Sequence, residues 1–424
     1  MKNANTSTAP VSGDLAQWLK HLESIHPSAI DLGLNRVKAV ADNLGLDFSD
    51  KTVIIVGGTN GKGTTCRFLE LACQQQKKTT GVYSSPHLLC YTERVRINGE
   101  PAAAAAFCQA FNQIESTRGD ITLTYFEFST LAALLLMQQH NTEVLILEVG
   151  LGGRLDATNI IDADLAVITT IDLDHQDWLG NTREAIAREK AGIMRAHKKA
   201  VIGELVPPSS LKEEVSRLEV DALWATKDYR FTQTQNWQWQ NDSHCFSQLP
   251  EPHIPRQNIA TALAALHHLG WLPAEKQVHS LIRKTTMPGR LQTVRDEPRV
   301  VVDVGHNPQA VRAMVSWLQS QQYMRLHLVA GMLKDKSIEA TLAEFSGSPA
   351  LWYLGSTAGP RGAKAQTLLE TLEDEQQSQA SCFEEVAMAY QAALSKATKD
   401  DLILVFGSFL TVAEIMRYES DTNI

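Results

Sequence analysis

The sequence lacks several features that would place the protein in a specialised class. Its 424 residues include six cysteines, at positions 66, 73, 90, 108, 245 and 382, and none of them forms a C-x-x-C pair. This spacing suggests neither a zinc site nor a disulfide framework, so we predict reduced thiols in the core. The longest apolar run, Leu131 to Met137, is far shorter than the ~20 residues that a membrane-spanning helix needs.

An excess of positive charge is also missing. The 39 lysines and arginines are outnumbered by 48 aspartates and glutamates, which gives a formal net charge of −9. A balance of this sign argues against general nucleic-acid binding. The first eight residues are polar and contain no apolar segment of the signal-peptide type, which predicts a cytoplasmic protein.

The length of the chain predicts two domains, because a single core rarely extends over so many residues. From Val53 to Gly203, apolar strand-like runs alternate with helical stretches. Strands that are apolar throughout are typical of a parallel sheet covered on both faces. A second alternation of the same kind follows Met287-Pro-Gly-Arg-Leu-Gln292. We therefore predict an α/β protein with one domain over 1–292 and a smaller one over 293–424.

Two segments depart from this alternation. Residues 228–249 alternate polar and aromatic side chains around an Asn-Asp-Ser turn, which predicts a small hairpin. Residues 376–381 form a polar stretch that we predict to be solvated.

The stretch Val53-Ile-Ile-Val-Gly-Gly-Thr-Asn-Gly-Lys-Gly-Thr-Thr65 has the character of a phosphate-binding loop. An apolar strand leads into glycines and then a helix, so backbone N–H groups, the helix N-terminus and Lys62 can all face an anion. The strict pattern G-x-x-x-x-G-K-[ST] is not met, because Val56 occupies its first position and Gly63 separates Lys62 from Thr64. Thr64 can still face a metal ion bound to phosphate oxygens.

Charged side chains follow other predicted strands. Glu148 ends an apolar strand just before glycines, at the sheet edge where ligands collect, and a carboxylate there suits Mg²⁺. His175 lies among three acids directly after a strand. Asp303 and His306 follow the first strand of the second domain, which predicts a ligand-binding loop there.

At three further positions the local sequence does not decide between a functional and a structural role. Arg154 and Asp156 lie in a loop after Glu148, where a ligand contact and a surface ion pair are equally consistent with the pattern. Lys190 lies in a predicted helix, and its periodicity alone places it on the solvent-facing side.

Together these stretches resemble one enzyme family, in the family's own order. They are Gly58-Thr-Asn-Gly-Lys-Gly-Thr64, Tyr83-Ser-Ser-Pro-His87, Glu148 to Asn159, Asp174-His175, Glu189-Lys-Ala-Gly192, Pro288-Gly-Arg290 and Asp303-Val-Gly-His-Asn-Pro308. The chain resembles the folylpolyglutamate synthases, and more closely the bacterial bifunctional members that also make dihydrofolate. These enzymes are relatives of the Mur peptidoglycan ligases. The resemblance extends from about Ile30 to Ser408, and the loop ending Gly-Lys-Gly-[Ser/Thr] is typical of the family.

The resemblance implies both a fold and a reaction. The fold is a Mur-ligase-type P-loop ATPase domain with a parallel sheet, followed by a Rossmann-like α/β domain. The reaction is ATP-dependent: a carboxylate becomes an acyl phosphate, and the amine of L-glutamate then forms an amide. The implied acceptors are dihydropteroate and reduced folates. The implied ions are two Mg²⁺, with K⁺ as a further cation, and the implied assembly is a monomer without nucleic-acid or membrane partners.

The resemblance also implies a role for each matched position. The ATP contacts are Thr59, Asn60, Gly61, Lys62, Gly63, Thr64, Asn258, Arg290, Asp303 and His306. The metal ligands are Thr64, Ser85, Glu148 and His175. The dihydropteroate contacts are Asp31, Leu32, Gly33, Leu34, Thr124, Tyr125, Phe126, Glu127, Leu155, Asp156 and Ala157.

Four of the matched residues are implied to be catalytic: Lys62, Glu148, His175 and Lys190. Lys190 resembles the family lysine that carries a carbamate, which turns an amine into a carboxylate able to support a second metal ion. Asp172 matches no part of the family pattern, and we assign it no role.

Four alternatives remain at this stage. The weakest is a non-catalytic binding module, because it leaves the metal-type residues unexplained. A regulatory nucleotide switch would use the same loop, but the chain contains no guanine-type N-K-x-D motif and offers the Asp303/His306 loop of an enzyme. Another Mur-type ligase acting on a UDP-sugar would share the fold, although Lys62-Gly63 and the pteroate-type segments argue against it. A folylpolyglutamate synthase without the second activity would share most of these motifs.

Overall fold

The computed structural model describes residues 13–26, 28, 30–232 and 237–422. The polar segment 1–8, which led us to predict a cytoplasmic protein, lies outside the described residues. So do residues 233–236 within the predicted hairpin segment.

Helices and strands are labelled in chain order. The α-helices are α1 (Leu15–Leu22), α2 (Asn35–Asn43), α3 (Lys62–Gln75), α4 (Ala104–Thr117), α5 (Tyr125–Gln139), α6 (Gln176–Leu179), α7 (Arg183–Ala191), α8 (Ser209–Arg217), α9 (Arg256–His268), α10 (Glu275–Lys284), α11 (Pro308–Leu318), α12 (Ile338–Ala343), α13 (Ala365–Leu369), α14 (Asp374–Ser378), α15 (Val386–Lys396) and α16 (Phe409–Thr422). Two 3₁₀ turns cover Tyr91–Arg94 and Ala157–Ile160.

The strands are β1 (Thr52–Gly57), β2 (Thr80–Tyr83), β3 (Val95–Ile97), β4 (Glu100–Pro101), β5 (Val144–Glu148), β6 (Leu165–Ile168), β7 (Lys199–Ile202), β8 (Asp221–Trp224), β9 (Tyr229–Phe231), β10 (Trp239–Asn241), β11 (Cys245–Phe246), β12 (Gln292–Arg295), β13 (Arg299–Asp303), β14 (Leu326–Ala330), β15 (Leu351–Gly355), β16 (Ala380–Phe383) and β17 (Leu402–Phe406).

The chain divides into two compact units. The first contains the described residues up to 171 together with 182–249 and 257–281, and the second contains 172–181, 250–256 and the described residues from 282 onwards. The sequence-based boundary between 292 and 293 stays a prediction. Within the described residues, no helix has both the length and the apolar character needed to cross a membrane.

The first unit is built on an eight-stranded sheet with the order β4-β3-β2-β5-β1-β6-β7-β8. Strands β2, β5, β1, β6 and β7 pair in parallel, as the apolar runs predicted, and their central residues are buried. The partly exposed edge strand β8 adds a further parallel pair with β7. Helix α5 is buried almost all round because Phe128 to Met137 is apolar apart from two small hydroxyl residues. The predicted hairpin region forms a separate antiparallel sheet of β9, β10 and β11.

The second unit contains a six-stranded sheet with the order β12-β13-β17-β14-β15-β16. All its pairs are parallel except that of β12 with β13. Its core packs Leu328, Leu404 and Phe406 of the central strands against apolar side chains of α11, α12 and α13. This is the Rossmann-like α/β arrangement that the resemblance implied.

Three sequence-based predictions need correction. The first sheet is not parallel throughout, because β3 and β4 add an antiparallel edge to it. The polar stretch 376–381 is not simply solvated, because Gln376 is buried in α14 and the stretch runs into the edge strand β16. All six cysteines are free, but Cys90, Cys245 and Cys382 are exposed, so only some of the thiols belong to the core.

Candidate functional site

Four parallel strands bring the phosphate loop and the predicted metal residues Ser85 and Glu148 to one edge of the first sheet. The strands β2, β5, β1 and β6 are neighbours in this order, and Glu148 pairs in register with Val56. Because parallel strands end at the same edge, Ser85, Glu148, loop 58–61 and Thr170 all follow or end strands there. The tertiary structure therefore gathers residues that are more than a hundred positions apart in the chain.

The loop after β1 is held by the end of β6. The backbone N–H of Thr59 donates to the carbonyl oxygen of Thr170 over 2.7 Å, and that of Asn60 donates to the Thr170 hydroxyl over 3.0 Å. The hydroxyl of Thr169 donates to the carbonyl oxygen of Asn60 over 2.6 Å. These contacts fix a loop whose residues were predicted only as a strand-to-helix connection.

The backbone conformation and the close packing at position 61 require glycine there. The φ of Gly61 is +83°, which lies in the left-handed region, immediately before α3 begins at Lys62. A Cβ atom at this position would lie 2.5 Å from Oδ1 of Asn258, a buried residue of α9. Asn258 in turn donates to the hydroxyl of Thr64 over 2.9 Å. Asn258, predicted as an ATP contact from a distant part of the sequence, thus lies against the loop.

Lys62 brings a full positive charge to the loop. Its Nζ donates to the carbonyl oxygens of Gly58 over 3.0 Å and of Thr59 over 3.2 Å. The ammonium group therefore lies over the loop backbone at the N-terminus of α3, where the helix dipole also favours an anion. This is the arrangement expected of a phosphate-binding lysine.

Glu148 and Thr64 supply oxygen atoms beside the loop. Glu148 is 6 % exposed, and its Oε2 lies 3.4 Å from the backbone N–H of Ser85. Thr64 is also buried. A buried carboxylate and a threonine hydroxyl are oxygen ligands of the kind that a hard divalent cation takes. In the described part of the chain, no three His, Cys, Asp or Glu side chains converge as a metal cluster, so such a cation would depend on hydroxyl, water or phosphate oxygens as well.

Lys190 is not on the solvent-facing side of its helix. It is only 3 % exposed, which corrects the interpretation based on periodicity alone. The loop after β5 covers this part of α7: a Cβ on Gly153 would lie 3.1 Å from Cα of Lys190 and 2.7 Å from the carbonyl oxygen of Glu189. A buried lysine is costly as a cation, which makes it a candidate for chemical modification or for pairing with an anion.

Arg154 and Asp156, for which the local sequence left two interpretations, make different kinds of contact. Arg154 forms a partly exposed ion pair with Glu189, with Nη2 2.8 Å from Oε1. Asp156 is buried and accepts hydrogen bonds from the backbone of Leu151 over 2.8 Å and from the hydroxyl of Thr158 over 2.7 Å. Burial raises the pKa of Asp156, although these hydrogen bonds act in the opposite direction.

The three segments predicted to bind dihydropteroate converge in the first unit. Arg36 of α2 donates from Nη2 to the carbonyl oxygen of Asp31 over 2.8 Å and to Oε1 of Glu127 over 3.1 Å. Glu127 also accepts from the backbone of Thr124, whose hydroxyl caps α5. The 3₁₀ turn containing Ala157 packs against both α2 and α5. Arg36 therefore links two of the segments, and the turn adds the third.

Aromatic and apolar side chains complete this region. Phe126 is half-buried, and a Cβ on Gly150 would lie 2.5 Å from its ring, so the glycine lets the loop after β5 approach the ring. The ring of Tyr83 lies 5.9 Å from that of Phe126. Leu32, Gly33 and Leu34 are half-buried beside the start of α2. This surface combines stacking groups with carboxylates, which suits a flat heteroaromatic ring that carries N–H donors.

A second group of predicted residues lies in the second unit, around Asp174. The carboxylate of Asp174 accepts from Lys336 over 2.7 Å and from Nδ2 of Asn307 over 3.2 Å, and Nε2 of His306 lies 3.7 Å away. Burial alone would raise the pKa of Asp174, but His306 and Lys336 outweigh it and hold this pKa far below its usual range. His175, predicted as a metal ligand, lies in the same group, with Nε2 3.5 Å from Nζ of Lys336.

Asp303 and Arg290 are neighbours in this unit. Arg290 Nη1 lies 3.9 Å from Oδ1 of Asp303, and Asp303 accepts from the backbones of Leu291 over 2.9 Å and Gly305 over 2.7 Å. Burial raises the pKa of Asp303, and Arg290 partly offsets this effect. His306 hydrogen-bonds through Nδ1 to the carbonyl oxygen of Val304 over 2.9 Å. The two predicted ATP-contact loops are therefore held together by direct contacts.

The predicted metal set divides between the units. Thr64, Ser85 and Glu148 belong to the first unit, and His175 belongs to the second. Asp172, which had no predicted role, forms an ion pair with Arg312 over 3.0 Å.

Two site residues were missed from the sequence, Arg36 and Lys336. Each is a basic residue that local sequence cannot distinguish from an ordinary surface cation. The Lys-Asp-Lys run at 334–336, in the loop between a predicted strand and a predicted helix, was the available signal for Lys336. Nothing in the local sequence around Arg36 indicated its partners.

Comparisons with known proteins agree with this geometry. Family models of the Mur ligase middle domain and of the Mur ligase glutamate ligase domain match residues 56–248 and 289–409. The fold is therefore that of a Mur-type ligase.

Individual similar proteins identify the family within the Mur-type ligases. The dihydrofolate synthase/folylpolyglutamate synthase of Escherichia coli is 46 % identical over 97 % of this chain and 96 % of its own length. The structure of E. coli FolC in complex with DHPP and ADP matches with a TM-score of 0.94 and 44 % identity, covering 98 % of this chain and all of that one. A bifunctional folylpolyglutamate synthase/dihydrofolate synthase with Mn, AMPPNP and L-glutamate bound matches with a TM-score of 0.90 and 44 % identity, over 97 % and 99 % of the two chains. The chain belongs to the dihydrofolate synthase/folylpolyglutamate synthase family, as its motifs predicted.

Proposed function

We propose that this chain is an ATP-dependent ligase that adds L-glutamate to dihydropteroate, making dihydrofolate, and to reduced folates, making polyglutamates. The observation that best supports the proposal is the arrangement at the edge of the first sheet. There the Lys62 loop, Glu148 and Ser85 follow neighbouring strands, and the loop that leaves Glu148 contacts Phe126 of the convergent segments. A phosphate-binding loop beside an aromatic-lined surface fits the transfer of a phosphoryl group to a pterin-linked carboxylate.

The proposed chemistry has two steps. An oxygen of the acceptor carboxylate attacks the γ-phosphorus of ATP, ADP leaves, and an acyl phosphate forms. The amine of L-glutamate then attacks the acyl carbon, inorganic phosphate leaves, and the amide remains after loss of a proton. Lys62 and the N-terminus of α3 stabilise charge on the β- and γ-phosphates during the first step.

Glu148, Thr64 and Ser85 are the residues of the first unit that would hold a divalent cation. His175, a metal ligand by family resemblance alone, stays a prediction. Such a cation offsets the repulsion between two anionic reactants. Relatives that bind Mn support a divalent ion. The proposal includes two Mg²⁺ ions, a K⁺ ion and a carbamate on Lys190. It also includes a monomeric state, a cytoplasmic location and functional domains over 1–292 and 293–424.

The assignment of substrate contacts follows the same segments. Asp31, Thr124 and Asp156 are proposed to contact the pterin, and Asn258, Arg290 and Asp303 are proposed to contact ATP. These remain proposals drawn from family resemblance and from the convergence of the segments.

The decisive experiment incubates the purified chain with ATP, Mg²⁺ and L-glutamate, with dihydropteroate in one tube and a tetrahydrofolate in another. We expect amide products of the corresponding masses in both tubes. A product with tetrahydrofolate alone would identify a monofunctional folylpolyglutamate synthase. A UDP-muramyl substrate in a third tube tests the other Mur-type ligases, and ATP hydrolysis that depends on neither glutamate nor a pteroate would favour the nucleotide switch.

A further inference from the structure

Arg94 is a buried cation in the first unit. It ends the 3₁₀ turn Tyr91–Arg94, immediately before β3, and is 8 % exposed. Its guanidinium carbon lies 5.3 Å from the centre of the Tyr91 ring and 5.5 Å from that of Tyr125. Its Nε donates to Nδ1 of His87 over 2.9 Å. Arg94 is therefore enclosed by aromatic side chains.

Arg94 forms no ion pair with an aspartate or glutamate of the described residues within 4.0 Å. The surrounding phenols do not supply the missing negative charge. Burial raises the pKa of Tyr83 to about 12 and raises the pKa values of Tyr91 and Tyr125, so all three remain neutral. A buried charge without a counter-ion is costly, and such a cost is normally avoided by pairing.

Arg96, two residues further along the chain, shows the usual arrangement. Its Nε and Nη2 donate to the carboxylate of the fully buried Glu70 over 3.0 and 2.9 Å. Arg67 also pairs with Glu70. Arg94 and Arg96 are similarly buried but differ in one respect. Arg96 has a carboxylate partner, whereas Arg94 has none among the residues that the structure describes.

The position of Arg94 indicates where its anion comes from. Its carbonyl oxygen accepts from the backbone of Ser84, the residue before Ser85 at the phosphate edge. Tyr125, which covers its guanidinium, lies in the segment Thr124–Glu127 at the proposed pteroate surface. Tyr125 and His87 are half-buried whereas Tyr91 is buried, so the cluster around Arg94 meets solvent on the side of Tyr125 and His87.

We propose that Arg94 binds a carboxylate of the acceptor substrate and holds it at the phosphate edge of the sheet. The inference rests on the proposed function. It assigns to Arg94 the recognition of the acceptor's charge, whereas the aromatic and carboxylate side chains around Phe126 recognise its ring.

The test compares binding of two ligands to wild-type protein and to Arg94→Met. The ligands are dihydropteroate and its analogue in which hydrogen replaces the carboxylate, both measured calorimetrically without ATP. We expect the wild type to bind dihydropteroate about 10- to 100-fold more tightly than the analogue, the usual effect of a charge-assisted hydrogen bond. In Arg94→Met this preference should disappear, while the affinity for the analogue stays unchanged.

A stability measurement separates this role from a structural one. Replacing an unpaired buried cation by an apolar side chain of similar length should leave the melting temperature unchanged or raise it. The matched control Arg96→Met leaves Glu70 without one of its partners and should lower the melting temperature, while keeping the preference for the carboxylate. An unchanged preference in Arg94→Met, or a fall in its melting temperature with equal loss of both ligands, would overturn the proposal.

A kinetic comparison identifies which carboxylate is bound. Dihydropteroate has one carboxylate, the reacting one, whereas tetrahydrofolate also has a carboxylate that does not react. If Arg94 binds the reacting group, Arg94→Met lowers kcat/KM for both acceptors. A loss confined to tetrahydrofolate would overturn the assignment to dihydropteroate. Failure of the wild type to bind dihydropteroate at all would instead refute the proposed function.

Discussion

The ammonium group of Lys336 lies 2.7 Å from the carboxylate of Asp174, although the two residues are 162 positions apart in the chain. Both side chains are largely buried, with 6 % and 10 % exposure. Asp174 precedes His175, and Lys336 follows β14 by six residues. This ion pair therefore fixes the His175 loop within the second unit, next to the loop that carries His306.

Lys336→Met should destabilise the second unit by about 3 kcal/mol, because it leaves the charge of Asp174 buried with weaker partners. Urea unfolding measures this change. Lys334→Met is the matched control, since Lys334 is exposed two residues away and its replacement should change stability by less than about 0.5 kcal/mol. Equal stability of the two variants would contradict the structural role of the ion pair.

Lys62→Ala and Glu148→Ala should fold and lose ligation. Both side chains act at the edge where charge moves between phosphates, so each loss should lower kcat by about 100-fold or more, equivalent to about 3 kcal/mol. Product formation under saturating ATP measures the effect. Lys227→Ala removes a lysine whose side chain is 77 % exposed and should retain normal turnover. Near-native turnover in either of the first two variants would remove that residue from the mechanism.

Lys190→Ala should be almost inactive if a carbamate on this buried lysine supports a metal ion. A small carboxylate such as acetate should then restore part of the activity, because it replaces the missing anion. Arg188→Ala, at an exposed position of the same helix, should retain activity and respond to no added carboxylate. A crystal structure grown with bicarbonate and nucleotide that shows an unmodified Lys190 would count against the carbamate.

Asp401 gives a prediction for pH dependence. Burial alone would raise its pKa, but hydrogen bonds from Arg325 over 2.7 Å and from the backbone of Thr398 over 2.7 Å hold this pKa well below its usual value. A carboxyl group with a lowered pKa stabilises the folded state above its unfolded pKa of about 3.9. This stabilisation is lost as the pH falls below that value.

Asp401→Asn should therefore be less stable than the wild type at pH 7, by about 1–3 kcal/mol. The difference should shrink as the pH falls below about 4 towards the lowered pKa of folded Asp401, because the unfolded wild type then takes up a proton that the folded carboxylate does not. Urea unfolding at several pH values checks this, with Asp400→Asn as the exposed neighbour for control. A difference that stays constant with pH would show that Asp401 acts through packing rather than charge.

Much of the fold followed from the sequence because the signals are local. The strand at Val53 to Val56, the glycines after it and the helix that starts at Lys62 all lie within one short stretch. The α/β alternation was equally readable, since strands buried on both faces must be apolar throughout. The edge strands β3, β4 and β16 were not predicted from the sequence, because they are short and partly polar and their hydrophobic signal is weak.

The sequence by itself determined the family, the phosphate loop and the residue types of the candidate site, because these depend on short motifs and their order. Only the tertiary structure decided which side of α7 is buried, and so placed Lys190 beneath the loop at Gly153 rather than in solvent. It also decided the partners of Arg36, Lys336 and Arg94. A basic side chain looks the same in a sequence whether water, an aspartate or a substrate will neutralise it, and the difference arises only when distant strands and helices pack around the charge.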